Sequence, residues 1–240
     1  MFRIFFSVLI FIYSTTFSQN NSTIEGKILS KIIIDDTIHF SAGIYHRGYY
    51  ENYDLSSELK KNNFILKSDF TYPHMYVLNL NSEKNKILFR AGVYFIDSYT
   101  KNIQLDSLYG VKLLDGPTNL EYKNKFLPYI LKGIKSNFYI FRSKEGDKFD
   151  NRLFNYTKNN PSSYVALWFL IDRISSEGYK EVYEKILSQF SFDVRNGQLW
   201  KTANAEFLDL RNKSKAYLDF DPKSIDLKST DFKLQNSQVY

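Results

Sequence analysis

The sequence predicts an α+β protein in which an N-terminal antiparallel β-sandwich or partly open barrel is followed by a helical segment. Up to Leu114, short β-branched and aromatic runs recur about every 8–12 residues, which is typical of such β folds. After the turn signal at 115–117 (DGP), apolar residues recur at the spacing of α-helices instead. Because 43% of the residues are hydrophobic and 18% are aromatic, the chain is too apolar to be disordered.

The predicted strands are short, and polar turn residues separate them. They are 24–29, 37–45, 63–68, 75–80, 86–90, 93–98 and 103–105. Their even spacing favours a sandwich or barrel over a parallel sheet with alternating helices.

The helical part is predicted most clearly at 179–190, where apolar residues form one stripe and charged residues occupy the other face. The stripe consists of Tyr179, Val182, Tyr183, Ile186, Leu187 and Phe190. A buried helix is expected at 162–174, after an N-cap at Asn160 and Pro161 at the first helical position. Another helix is expected at 198–210, and Pro128 should kink or interrupt a helix that begins near Asn119.

Residues 1–18 are predicted to be a signal peptide that is cleaved after Ser18. One cation, Arg3, precedes an apolar run from Ile4 to Tyr13, and small residues end the segment. This run is too short to span a bilayer of about 30 Å, although an uncleaved membrane anchor is the alternative. We therefore expect an exported protein with no transmembrane segment in the mature chain.

The composition excludes several classes of chemistry. The chain has no cysteine, so disulfides, thiol nucleophiles, Cys-ligated metals and lipid attachment to an N-terminal Cys are excluded. Lys and Arg number 32 against 26 Asp and Glu, but acidic residues are interspersed throughout and the longest basic run is Lys60-Lys61. Because nucleic-acid binding requires a concentrated basic patch, we expect no nucleic-acid partner.

Five short motifs follow one another along the mature chain. They are 24–28 (IEGKI), 89–94 (FRAGVY), 115–122 (DGPTNLEY), 159–166 (NNPSSYVA) and 230–234 (TDFKL). In this order they resemble a family of exported bacterial proteins, the thiol-specific antioxidant/TlpA-like thioredoxin-fold proteins that carry an N-terminal domain of unknown function 4369. The resemblance implies a periplasmic or cell-envelope location in a Gram-negative bacterium.

The resemblance also implies a domain organisation. The signal peptide spans 1–18, a β-rich domain similar to domain of unknown function 4369 spans 19–114, and a helical segment spans 115–212. Residues 213–240 would then be a linker and the truncated start of a thioredoxin-like fold. In this family the redox chemistry lies in a Trp-Cys-x-x-Cys motif beyond the position of Tyr240, so no catalytic residue carries over to this cysteine-free chain. Thr230 also stands where the family usually has proline.

Other groups that could carry chemistry fit simpler roles. His39, His46 and His74 are 7 and 28 residues apart, which lacks the close pair that metal sites usually contain. The carboxylate pairs Asp35-Asp36 and Asp219 with Asp221 fit turns. We therefore assign no catalytic, cofactor or metal-binding residue and do not expect this chain to be an enzyme.

One aromatic stretch is a candidate binding loop. Tyr and Arg are enriched at interaction hot spots, because they combine a large contact area with polar tips. The alternative is that the aromatic residues fill the core. The candidate binding loop consists of Tyr45, His46, Arg47, Tyr49, Tyr50 and Tyr53.

Three functions stay open, and the third is a hydrolase whose motifs are not visible in the sequence. In the first, the chain is a non-catalytic binding or positioning module of an exported thioredoxin-fold protein, docking through β-domain loops and a helical surface. In the second, it is a stand-alone envelope protein that binds a protein or glycan through the candidate binding loop. The first predicts a Trp-Cys-x-x-Cys segment encoded beyond Tyr240. The second predicts that replacing Tyr49 and Tyr50 by alanine abolishes binding without lowering stability.

Overall fold

The computed structural model describes residues 22–29, 37–42, 47–68, 70–82, 87–107, 110–133 and 144–218. The predicted signal peptide and the 230–234 motif lie outside these residues. Eight strands are described: β1 Ser22–Ile28, β2 Thr37–Ala42, β3 Asp54–Glu58, β4 Asn63–Ser68, β5 His74–Ser82, β6 Ile87–Ile96, β7 Asn102–Ser107 and β8 Gly110–Leu114.

The described helices follow the strands, as the sequence predicts. They are α1 Pro117–Glu121, α2 Leu127–Ile130, α3 Lys144–Asn159, α4 Tyr164–Glu177, α5 Glu181–Gln189, α6 Phe192–Asn196 and α7 Gln198–Leu218. A 3-10 turn at Arg47–Tyr49 lies between β2 and β3, and a π turn at Tyr122–Phe126 joins α1 to α2. Among the described helices, none combines the length and the apolarity that a membrane crossing requires.

The described residues divide into two compact units, and the division does not follow chain order. The β unit contains the residues up to Ser41 and Asn52–Asn119. The helical unit contains Ala42–Glu51 and the residues from Leu120 onward. Tyr49 and Tyr50 of the candidate binding loop therefore belong to the helical unit, whereas Tyr53 belongs to the β unit.

The β unit contains two four-stranded sheets, which confirms the predicted α+β class. The strand orders are β4-β1-β7-β8 and β3-β2-β5-β6, and neither sheet closes into a barrel. The pairs β1–β4, β2–β3, β5–β6 and β7–β8 are antiparallel, whereas β1 and β7 pair in parallel. Alternating apolar residues require a buried face but do not specify strand direction, so the sequence does not reveal this parallel pair.

Alternation of buried and exposed residues gives the first sheet one apolar face, whereas in the second sheet consecutive residues of β5 and of β6 are buried, so both faces are covered there. In the first sheet the buried apolar side chains are Ile24, Phe64, Leu66, Ile103, Leu105 and Leu114. In the second sheet they include Ile38, Phe40, Leu55, Met75, Tyr76, Leu78, Phe95 and Ile96. Burial of these side chains is the main source of stability of the β unit.

Close packing of β1 against β4 leaves no space for a side chain at Gly26. Gly26 pairs with Phe64, and a Cβ atom on Gly26 would lie 2.0 Å from the Phe64 ring. We expect Gly26→Ala to lower the free energy of unfolding by about 1–3 kcal/mol, because the buried ring must move. Urea denaturation of the full chain measures this.

Gly92→Ala is the matched control, since no atom lies within 4 Å of a Cβ atom at that strand position. It should change the free energy of unfolding by less than about 0.5 kcal/mol. Equal destabilisation by the two substitutions would contradict the role of the Phe64 ring.

Three strand predictions were wrong. The predicted strands 86–90 and 93–98 are one strand, β6, because the chain pairs with β5 on both sides of Gly92 and only the register shifts there. Strand β3 was missed because its sequence (DLSSE) has a single apolar residue, and pairing with β2 stabilises it. Strand β8 (GVKLL) was also missed, and it pairs with β7.

The N-cap predicted at Asn160 is also wrong. Helix α4 begins one turn later, because the Ser163 hydroxyl accepts a hydrogen bond from Ala166 N at 3.0 Å. Asn160 instead ends α3, since its backbone and side-chain N–H groups both donate to Tyr156 O. Helix α3 itself was not among the predicted helices.

The linker predicted from residue 213 is helical as far as Leu218, because α7 continues past the last apolar residue of its predicted stripe. Charged pairs support this extension. Lys213 pairs with Asp209 at 2.6 Å, four residues earlier, and Arg211 reaches Glu184 of α5 at 2.6 Å.

The segment that starts at Pro117 stays helical through Pro128 to Ile130, and the irregularity near the proline is a change to a π turn at Tyr122–Phe126. Leu127 lies between the π turn and Pro128, and its N–H donates to Tyr122 O, five residues earlier. Proline has no N–H to continue the α-helical pattern. The wider turn keeps Tyr122, Phe126 and Ile130 on one buried face of the segment.

Candidate functional site

Tyr49 of the candidate binding loop is a buried anchor in the helical unit. Its side chain is 2% exposed, and its hydroxyl donates a hydrogen bond to Glu206 of α7. Its ring meets Trp168 of α4 edge-on, with the ring centroids 6.3 Å apart. Burial, reinforced by Glu206, raises the pKa of Tyr49, so the phenol stays protonated.

Tyr50 lies beside Tyr49 on the same indole. It is half-buried, and its ring centroid is 4.9 Å from that of Trp168. Trp168 is itself fully buried. The structure therefore brings Tyr49, Tyr50, Trp168 and Glu206 together, and we call these four residues the aromatic anchor.

The other members of the candidate binding loop are not part of the aromatic anchor. Tyr53 is half-buried within the β unit. Tyr45, His46 and the side chain of Arg47 lie outside the described residues. For Tyr49, the observed burial matches the core-packing alternative rather than presentation to a ligand.

A second group of polar residues, the buried charge cluster, joins α3, α4 and α5. Both carboxylate oxygens of Asp150 contact Arg173, with Nε–Oδ1 at 2.7 Å and Nη2–Oδ2 at 3.2 Å. The Tyr183 hydroxyl donates to Asp150 Oδ2 at 2.9 Å, and Lys180 Nζ lies 3.3 Å from the same oxygen. Glu177 completes the cluster through contacts with Arg173 at 3.4 Å and Lys180 at 3.5 Å.

The buried charge cluster keeps Arg173 and Tyr183 protonated. Burial alone would lower the pKa of Arg173, but hydrogen bonds and charge from Asp150 raise it. Burial and the Asp150 carboxylate raise the pKa of Tyr183. General acid–base catalysis requires a group that can exchange a proton near neutral pH and reach a substrate, and Arg173 and Tyr183 do neither.

A third group connects α1, α3 and the start of α4. Glu121 Oε1 accepts hydrogen bonds from the Tyr156 hydroxyl at 2.9 Å and from the Ser163 hydroxyl. Because Ser163 Oγ also caps α4, this serine is engaged as donor and acceptor. Burial, followed by the charge of Glu121, raises the pKa of Tyr156. The arrangement fixes the helix start and holds no activated nucleophile.

Two of the three histidines, His39 and His74, lie within the described residues. His39 is exposed on β2, His74 is buried in β5, and His46 lies outside the described residues. His74 is stacked among aromatic rings, with centroids 4.3 Å from Phe70 and 4.6 Å from Tyr72. Among the residues that the structure describes, no three His, Asp or Glu side chains are placed to hold a metal ion.

Burial of His74 makes stability depend on pH. Desolvation lowers the pKa of His74 to about 4, although Nδ1 donates to Tyr72 O at 2.8 Å. The unfolded chain takes up a proton below pH 6.5, and the folded chain does so only near pH 4. We therefore expect this group to remove about 3 kcal/mol of stability as the pH falls between these values.

Urea denaturation at several pH values, compared between wild type and His74→Phe, isolates this contribution. The comparison is needed because Asp172 acts in the opposite direction. Burial raises the pKa of Asp172 to about 6, so protonation of Asp172 stabilises the folded chain as the pH falls. Equal acid sensitivity of the two proteins would contradict the role of His74.

Of the remaining acidic candidates, Asp35, Asp36, Asp219 and Asp221 lie outside the described residues.

The turn predicted at 115–117 is held by Asp115. Its carboxylate accepts hydrogen bonds from Asn102 N at 3.0 Å, Asn102 Nδ2 at 2.8 Å and Lys101 N at 2.8 Å. Partial burial acts to raise the pKa of Asp115, but these hydrogen bonds lower it overall.

One exposed surface of the helical unit was missed by the sequence analysis. Opposite the buried residues of the α1–α2 segment, the side chains point to solvent, and we call this surface the cationic ridge. It consists of Leu120, Asn124, Lys125, Pro128, Tyr129 and Lys132. The spacing of Tyr122, Phe126 and Ile130 is the sequence signal that could have located it, because residues four apart share one helix face.

We compared the chain with protein-family models, with curated proteins and with solved structures, and no match was found. The family resemblance of the five motifs therefore stays a prediction.

Proposed function

We propose that the chain is a non-catalytic binding and positioning module of an exported thiol-disulfide oxidoreductase-like protein with a thioredoxin fold. On this proposal the chain forms and breaks no covalent bond. The observation that supports it best is the buried charge cluster, because Asp150 is saturated by Arg173, Tyr183 and Lys180. Its polar groups stabilise the packing of three helices and are not directed at a substrate.

The aromatic anchor supports the same proposal over the alternative of a stand-alone envelope protein. Tyr49 and Tyr50 attach the segment between β2 and β3 to α4 and α7 of the helical unit. A tyrosine used for packing is not available as a hot spot for a protein or glycan. The alternative then depends on the members of the candidate binding loop outside the anchor.

Sequencing the gene beyond the codon for Tyr240 tests the thioredoxin part of the proposal. A reading frame that continues into a Trp-Cys-x-x-Cys segment is the expected result. That segment would then be expressed separately, and its binding to this chain measured by calorimetry. A stop codon with no such segment downstream, or a redox domain that does not bind this chain, would contradict the proposal.

A further inference from the structure

We propose that the cationic ridge binds the surface of an anionic phospholipid membrane. The inference goes beyond the proposed function, because it does not depend on a neighbouring redox domain. It rests on the shape, the charge and the apolar exposure of the α1–α2 segment.

The exposed residues of the ridge recur three or four positions apart along the α1–α2 segment, so they share one helical face. The π turn takes up one extra residue, so the buried residues stay aligned and the exposed residues align on the opposite side. The strip is held to α3, because Arg152 Nη1 donates to Ile130 O at 2.6 Å and the Tyr129 and Tyr156 rings are 5.7 Å apart. A single preformed helical face suits an extended surface, whereas small ligands require a concave site.

The charge of the ridge is positive. Lys125 and Lys132 are exposed, and no carboxylate of the described residues lies within 4.0 Å of either ammonium group. The nearest acid in sequence, Glu121, is half-buried and is occupied by Tyr156 and Ser163. Both lysines are therefore available to lipid phosphates, which attract such side chains near a membrane surface.

The apolar residues of the ridge favour a lipid surface over a purely ionic partner. Leu120 is 47% exposed and Tyr129 is 41% exposed, and Pro128 lies between Lys125 and Tyr129. Tyrosine is enriched where its ring meets lipid and its hydroxyl meets water. Lysine stems can lie along the apolar region while the ammonium groups reach the headgroups.

The test is co-sedimentation of the full chain with vesicles of phosphatidylglycerol mixed with phosphatidylcholine, compared with phosphatidylcholine alone. We expect stronger binding to the anionic vesicles, weakened by high salt because exposed charges are screened. The double variant Lys125→Glu with Lys132→Glu should bind them at least about tenfold more weakly.

The matched control is Lys60→Glu with Lys201→Glu, which makes the same charge change at two exposed lysines that are not part of the ridge. Both double variants retain the apolar residues 4–13. Any contribution of these residues to vesicle binding therefore cancels when the two variants are compared. Lys125→Gln with Lys132→Gln repeats the test without introducing negative charge, and urea denaturation shows whether each variant is folded.

Three results would overturn the proposal. They are equal binding of wild type to neutral and anionic vesicles, equal weakening by the ridge and control variants, and unchanged binding of folded ridge variants. After any of these results, an acidic protein surface would be the class of partner whose charge is complementary to the ridge.

Discussion

Replacing Asp150 by alanine is expected to lower the free energy of unfolding by about 3–5 kcal/mol. Arg173 is 1% exposed, and the substitution leaves its guanidinium buried without its main partner. The Tyr183 hydroxyl loses its acceptor at the same time. Urea denaturation of the full chain, followed by circular dichroism, measures the loss.

Two further variants test whether the loss comes from the buried Arg173 charge, which keeps its longer contact with Glu177. Asp150→Leu with Arg173→Met removes both charges and should be more stable than Asp150→Ala, because an apolar pair avoids the cost of burying an ion without its main partner. Lys185→Ala breaks the exposed pair with Glu181 and should cause no measurable change. If Asp150→Ala matched Lys185→Ala, the buried cluster would not stabilise the fold.

Replacing Tyr49 by alanine is expected to lower the free energy of unfolding by about 3 kcal/mol, because a buried aromatic ring leaves a cavity beside Trp168. Tyr49→Phe keeps the ring and loses only the hydrogen bond to Glu206, so we expect a loss of about 1 kcal/mol. Thermal unfolding and urea denaturation of the three proteins give this order.

Tyr99→Ala is the matched control, because Tyr99 is 73% exposed. It should change stability by less than about 0.5 kcal/mol. A Tyr49→Ala protein as stable as wild type would contradict the anchor and would favour the candidate binding loop as a ligand site.

The elements that the sequence predicted correctly are those whose signals are local. The α4 segment is apolar on nearly every side, and Val165 through Ile171 are all buried. The stripe of α5 places Tyr183, Ile186 and Leu187 in the core. Strand β4 has the predicted bounds, because a β-branched and aromatic run lies between polar turns there.

The features that the sequence left undecided or did not show depend on distant partners. Tyr49 is buried because Trp168 and Glu206 surround it, and Glu206 is 157 residues away along the chain. Composition gives no sign of such a contact, so a tyrosine in a core and one in a binding loop look the same. Asp150 and Arg173 are likewise ordinary charged residues until the packing of α3 against α4 and α5 brings them together.

The parallel pairing of β1 with β7 has a consequence for biosynthesis. Glu25 pairs with Asn102, roughly 75 residues later, so β1 has only β4 beside it until most of the β unit has been made. Until then the second edge of β1 presents unsatisfied N–H and C=O groups, which can pair with another nascent chain. Synthesis of β7 therefore covers the second edge of β1.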